Sequence, residues 1–223
     1  MAAISHRLRV VYLPVPKNAC TSIKSMLFEV ESGRSVSSLR NREGKPVHVH
    51  AVYPSMPDGG VIPDGIFDYD VVAVLRDPVK RFVSGYRNRI QQIRDIERAV
   101  ARDPRIAAAV EAKGLVTVPD IDSFAERLAD YMDAVPVVKH HFLSQMAYVG
   151  KAVGRLSLVV GMDGLHRIAV LLAERAGQDV RMPHKQISRV AGEVAPCPAT
   201  VDRLRAFYAE DYALLDRFGI AAG

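Results

Sequence analysis

One pattern, present twice, constrains the fold more than any other feature of this sequence: a short apolar run stops at a turn and passes directly into a helical pattern. The first copy occupies residues 8–31, LRVVYLPVPKNACTSIKSMLFEVE. Leu8, Val10, Val11, Tyr12 and Leu13 are apolar with little alternation, as in a strand covered on both faces of a parallel sheet. Pro14 and Pro16 end the run. Thr21 and Ser22 suit a helix start, and Ile23, Met26, Leu27 and Val30 recur at spacings of three and four, which places them on one face. The second copy occupies residues 69–89, YDVVAVLRDPVKRFVSGYRNR. Val71, Val72, Ala73, Val74 and Leu75 make the strand, Asp77 caps the helix, and Pro78 takes its favoured first position. A third run, LSLVV at 156–160, precedes Gly161 and a helix over 165–175 that Gly177 ends. Strands alternating with helices imply an α/β fold with a parallel sheet. A chain of 223 residues is long enough for one such domain, spanning 1–223, with a substantial core.

Both turns suit anions. In the first, Lys17, Asn18, Ala19 and Cys20 would direct backbone N–H groups, aided by the helix dipole, beyond the carboxyl end of the strand. Lys17 adds a full charge, and Thr21 and Ser22 add two hydroxyls. The glycines of a G-x-x-x-x-G-K-[ST] loop are missing and the lysine precedes the helix by several residues, which argues against a nucleoside triphosphate. Taken alone, the segment equally fits a strand, turn and helix whose lysine is merely solvated. In the second turn, Arg81 and Ser84 lie three apart on one helix face, with Arg76 at the strand end. A guanidinium fork and a hydroxyl converging there make a clamp for a phosphate monoester.

At these residues a resemblance becomes specific. PKNACTS at 16–22 resembles the 5′-phosphosulfate loop of sulfotransferases, and Arg76, Asp77 and Pro78 with Arg81, Ser84 and Tyr86 resemble their R-D-P-x-x-R-x-x-S-x-Y element for the 3′-phosphate. The nearest variety is the family 2 branch of carbohydrate sulfotransferases, which holds Golgi enzymes and bacterial relatives. The resemblance implies a P-loop-NTPase-like three-layer fold, with a central parallel sheet flanked by helices. It also implies 3′-phosphoadenosine 5′-phosphosulfate (PAPS) as co-substrate, 3′,5′-adenosine bisphosphate (PAP) as product, no required metal, and a hydroxyl of a carbohydrate or other small molecule as acceptor. By the same resemblance Lys17, Asn18, Ala19, Cys20, Thr21 and Ser22 hold the 5′ end, with Cys20 a packing residue rather than a nucleophile. Arg76 and Ser84, assisted by Arg81, hold the 3′-phosphate, and Lys185, Ser188 and Arg189 of a late basic loop close over it.

The segment VHVHAVY at 47–53 alternates as a short strand would, with His48 and His50 on one face. The resemblance makes His50 the base that takes the acceptor proton and His48 the second candidate; an imidazole titrates in the range this task needs. The residues alone also fit two surface histidines or a chance metal pair. HHFLSQ at 140–145 resembles the family's H-[WF]-x-P-Q segment, with Ser144 in the proline position, so that His141 and Gln145 either line the site or pack a helix. Ile90, Ile93, Ile96 and Val100 continue one helical stripe as far as Asp103 and Pro104. Asp122 or Ser123 caps a helix over 124–133, and 198–218 form a C-terminal amphipathic helix.

The net charge of +5 comes without a basic block or a base-stacking aromatic pattern, so the expected partner is a small polyanion and not a nucleic acid. Two cysteines make no disulfide framework. The first residues carry neither a signal-type apolar region nor a membrane span, which points to the cytoplasm and departs from the anchored Golgi enzymes. Two other classes fit less well. A small-molecule kinase using ATP, with Asp77 on magnesium, is opposed by the missing glycines and by Pro78; a non-catalytic nucleotide-binding protein would need neither histidine at the site.

Overall fold

The computed structural model describes residues 2–182 and 194–222. Four strands form one sheet in the order β1-β2-β3-β4: β1 (Ala3–Ser5), β2 (Val10–Leu13), β3 (Asp70–Val74) and β4 (Leu158–Val160). The three apolar runs are the parallel strands, with Val11 opposite Val71 and Ala73 opposite Val159. The edge strand β1 pairs antiparallel to β2, Ala3 against Tyr12. Every residue of β2 is buried, as the unbroken apolar run requires. The result is a P-loop-like α/β fold.

Along the chain, α1 (Cys20–Ser32) and α2 (Val49–Val52) precede β3. Then come α3 (Pro78–Gly85), α4 (Asp95–Arg102), α5 (Pro104–Ala112), α6 (Ile121–Glu126), α7 (Leu128–Ala134), α8 (Pro136–Phe142) and α9 (Met146–Val149). After β4 follow α10 (Leu165–Ala176), α11 (Pro198–Phe207) and α12 (Ala209–Arg217). The described residues divide into two compact units, one built from 2–76, 145–182 and 215–221, the other from 77–144, 194–214 and 222. In the first, the stripe Ile23, Met26, Leu27 and Val30 of α1 and Ile168, Ala169 and Leu172 of α10 pack with Val10, Tyr12, Val72 and Val74. Burial of this apolar surface is the main stabilising term, about 25 cal/mol per Å² removed from water. The second unit is helical and centres on aromatic rings: Phe124 lies 5.0 Å from both Tyr131 and Phe142, in edge or tilted geometry.

Several local expectations are corrected. The segment 47–53 is not a strand. His48 caps the single turn of α2, its Nδ1 accepting from His50 N at 3.3 Å, and Val49 is buried. Two polar residues separated by one apolar residue satisfy a capped turn as well as a pleat. The stripe from Ile90 to Val100 is not one regular helix either. α3 passes into a π-helix, Tyr86–Gln92, and Arg94 at φ +58° starts α4 anew. The wider turn changes the helix phase so that Tyr86, Ile90 and Ile96 all reach the aromatic core, and the Tyr86 hydroxyl donates to Pro119 O at 2.8 Å. Asp120, not Asp122 or Ser123, caps α6, accepting from both of their N–H groups. The C-terminal helix is divided at Tyr208, whose hydroxyl donates to Phe142 O at 2.6 Å.

Gly60 has a positive φ of +79°, and a Cβ there would lie 2.8 Å from Tyr148 O and 3.1 Å from Val149 Cα. Both neighbours are backbone atoms and have no rotamer to yield. Gly60→Ala is expected to lower the unfolding free energy by about 2–4 kcal/mol, strain and overpacking together, read as a drop in the denaturant midpoint at unchanged slope.

Candidate active site

The turn between β2 and α1 is made from non-glycine residues in a conformation they seldom adopt. Lys17 has φ +71° and Ala19 φ +53°. A backbone that enters the left-handed region turns its N–H groups toward one point, the arrangement that makes an anion-binding concavity. Ala19 is the N-cap of α1 and has no side chain with which to cap it, and the first turn holds no acidic residue. The first helical N–H groups have no intrahelical acceptor, and the dipole leaves partial positive charge beside them. Strain of this kind, of order 1–3 kcal/mol per residue, persists only where the surroundings enforce it.

Asn18 and Gln145 supply that enforcement. Asn18 is fully buried; its Nδ2 donates to Val74 O at 2.8 Å and to Gln145 Oε1 at 2.7 Å. Gln145, also fully buried, accepts from Arg76 N at 3.0 Å and donates to Arg76 O at 2.8 Å. The Arg76 guanidinium returns to the turn, Nη1 donating to Lys17 O at 3.2 Å. The two strand ends therefore carry Lys17 and Arg76 in one hydrogen-bonded frame. Gln145 organises this frame through the backbone. Its place in the H-H-F-L-S-Q segment was the only sequence signal for that role.

Beside the first two turns of α1, three polar side chains meet. His50 Nε2 lies 3.1 Å from Thr21 Oγ1, and His50 Nδ1 lies 3.0 Å from Lys24 Nζ. Lys24 is fully buried and also donates to Ser55 Oγ at 2.7 Å. Burial lowers its pKa to about 8, partly opposed by Cys20. His48 stacks on the His50 ring at a centroid separation of 4.8 Å. Sequence reasoning missed Lys24, because a lysine on an amphipathic helix is ordinarily solvated. Its position three residues before Leu27 and three after Thr21, between the apolar stripe and the anion turn, was the available signal.

In the second unit Asp77 caps α3, accepting from Lys80 N at 2.7 Å, and the Tyr212 hydroxyl donates to its other oxygen at 3.3 Å. Ser84 sits half-buried on α3. Arg81 on the same helix is buried: its guanidinium donates to His141 O and Leu143 O and lies 5.5 Å from the centre of the Tyr208 ring. Lys185, Ser188 and Arg189 lie outside the described residues.

The sulfotransferase family model matches residues 1–217. The chain belongs to the sulfotransferase family. No curated protein and no solved structure matched it in the corresponding comparisons. This sulfotransferase is accordingly an enzyme of sulfuryl transfer. No helix among its described residues is long and apolar enough to cross a membrane. Cys20 and Cys197 are both free thiols, Cys20 buried in the first turn of α1.

Gln145→Ala would strand the polar groups of Asn18 and Arg76 in a buried setting. It is expected to destabilise the sulfotransferase by about 2–4 kcal/mol, and Gln145→Glu, which sets a buried carboxylate oxygen against Arg76 O in place of the donor, by at least as much. Chemical denaturation of the two variants beside wild type gives the ranking.

Proposed function

We propose that this sulfotransferase uses PAPS as sulfuryl donor and a hydroxyl of a carbohydrate or glycoconjugate as acceptor, with His50 as the base. The observation that carries the reading is the proximity of His50 Nε2 to Thr21 Oγ1, 3.1 Å, on the first turn of an uncapped helix that begins in a left-handed, lysine-bearing loop. A base beside an anion cradle is the minimum that sulfuryl transfer to a hydroxyl needs.

The residues present fit the co-substrate. The turn amides with Thr21 and Ser22 would hold the 5′-phosphate, and Lys17 the sulfuryl and bridging oxygens. Arg76 and, from the R-D-P-x-x-R-x-x-S-x-Y motif, Ser84 would hold the 3′-phosphate. Arg81, bound to two carbonyls and buried, is assigned to the scaffold instead. Lys185, Ser188 and Arg189 keep the role in closing the 3′ end that the family resemblance gives them. When bound, PAPS supplies an electrophilic sulfur and PAP as leaving group. His50 removes the acceptor O–H proton as the new S–O bond forms, and Lys17 stabilises the charge left on the phosphate oxygen as the old S–O bond breaks. His48 supports His50 by capping its turn and stacking on its ring. A carbohydrate acceptor rests on the family branch alone.

Calorimetric titration with PAP, AMP and ATP with magnesium, on wild type and Arg76→Ala, tests the donor. PAP is expected to bind tightest, with at least a tenfold loss in Arg76→Ala, about 1.4 kcal/mol. Tighter, magnesium-dependent binding of ATP would reject PAPS and favour a kinase. Lys17→Ala and His50→Ala are each expected to reduce turnover about a hundredfold or more, measured by PAP release with a panel of sugar acceptors.

A further inference from the structure

Lys24 has no part in the donor cradle, yet it is the most unusual charged group in the chain. Lysine is almost never fully buried without a carboxylate partner, and the Lys24 amine instead meets a serine hydroxyl at 2.7 Å and an imidazole nitrogen at 3.0 Å. The titratable groups that act on it are His50 of the α2 turn and Cys20 one turn earlier on α1; His48 stacks on His50, and Cys20 in turn affects Tyr12 of β2. None of them is a carboxylate, and Cys20 is the one group of this set that favours the charged amine. Burial works the other way and brings its pKa down to about 8, within reach of neutral solution.

The consequence falls on His50. An ammonium has three donors and no lone pair, so beside a charged Lys24 the Nδ1 atom of a neutral His50 must be the acceptor. Its single proton then sits on Nε2, and the nitrogen facing Thr21 cannot take another without making an imidazolium against a buried cation. Beside a neutral amine the roles reverse: Nδ1–H donates to Nζ, and Nε2 holds the lone pair.

We propose that Lys24 is the positioning residue that selects the tautomer of His50, making Nε2 basic only when the Lys24 amine is neutral, and that Nζ receives the Nδ1 proton as Nε2 takes the acceptor's. The inference rests on His50 being the base. The step balances without any redox partner. The acceptor O–H and the Nδ1–H bonds break, N–H bonds form at Nε2 and Nζ, and the net change is one proton moved from acceptor to Lys24. Desolvated lysines have the adaptable pKa that such a role needs.

The test reads the tautomer directly. Protein labelled with 15N-histidine is titrated from pH 7 to about 9.5 and followed by long-range 1H–15N correlation, in which protonated and unprotonated ring nitrogens are well separated; His50→Gln identifies the His50 signals. In wild type His50 is expected to pass from the Nε2–H to the Nδ1–H form around the Lys24 pKa of about 8. Lys24→Met is expected to abolish that passage, and Lys24→Arg, charged at every pH used, to hold the Nε2–H form throughout. Turnover of wild type should rise with pH over the same interval, and Lys24→Arg should lose about tenfold or more in kcat with donor affinity unchanged. A wild-type His50 whose tautomer is constant over the range, or changes alike in Lys24→Met, overturns the proposal, and the wild-type titration needs no variant to fold. Normal turnover by His50→Gln would instead reject the base assignment, and the spectra would still report the Lys24–His50 coupling separately.

Discussion

The carboxamide of Gln145 is the contact on which the architecture at the carboxyl ends of β2 and β3 depends. Parallel strands bring their carboxyl ends to one edge of the sheet, where the backbone leaves the ladder and must find new partners. Gln145 meets that requirement with one side chain, bonding Arg76 through both N and O and receiving Asn18, which in turn bonds the last residue of β3. Because both amides are fully buried, each hydrogen bond acts in a low dielectric, and losing any one leaves a desolvated group behind. That rigidity is what allows Lys17 and Ala19 to stay in the left-handed region without glycine.

The same helix that begins at this turn links it to the histidine side. Thr21 faces His50 and Lys24, one turn on, approaches the other ring nitrogen. Residues three apart share a helix face, so α1 presents the Thr21 hydroxyl and the buried Lys24 amine on one surface. His48 completes the arrangement from outside, as a cap whose ring stacks on His50. Charge is thereby graded along the turn: a half-buried lysine at the loop, helix amides next, and a fully buried amine deepest.

Much of the fold was legible because it is local. Val71, Val72, Ala73 and Val74 announce a two-sided strand by lacking polar alternation, Asp77 and Pro78 announce a helix start, and Gly177 ends α10 with φ +64°. The errors came where a local signal was degenerate. His48, Val49 and His50 fit a pleat and a capped turn equally, and only the burial of Val49 decided for the turn. Ile90, Ile93 and Ile96 keep a helical spacing across a π-helix and a left-handed Arg94, a change of phase that side-chain spacing does not record. The contacts of the Arg81 guanidinium, with Tyr208 far along the chain and with two carbonyls at the C-terminal end of α8, have no local signal at all.

By itself the sequence determined the α/β class, the three parallel strands, the turn that carries the first strand into α1 and the family resemblance that the 1–217 match then showed. These follow from residues adjacent in the chain, where strand propensity, caps and turn chemistry act. The tertiary structure alone decided that Gln145 joins Asn18 to Arg76, that Lys24 is buried against His50, and that the buried Arg81 guanidinium meets two carbonyls and the Tyr208 ring. Each of those depends on partners 26 to 127 residues away, and the protonation of a buried amine depends on what surrounds it in space, which no spacing along the chain expresses.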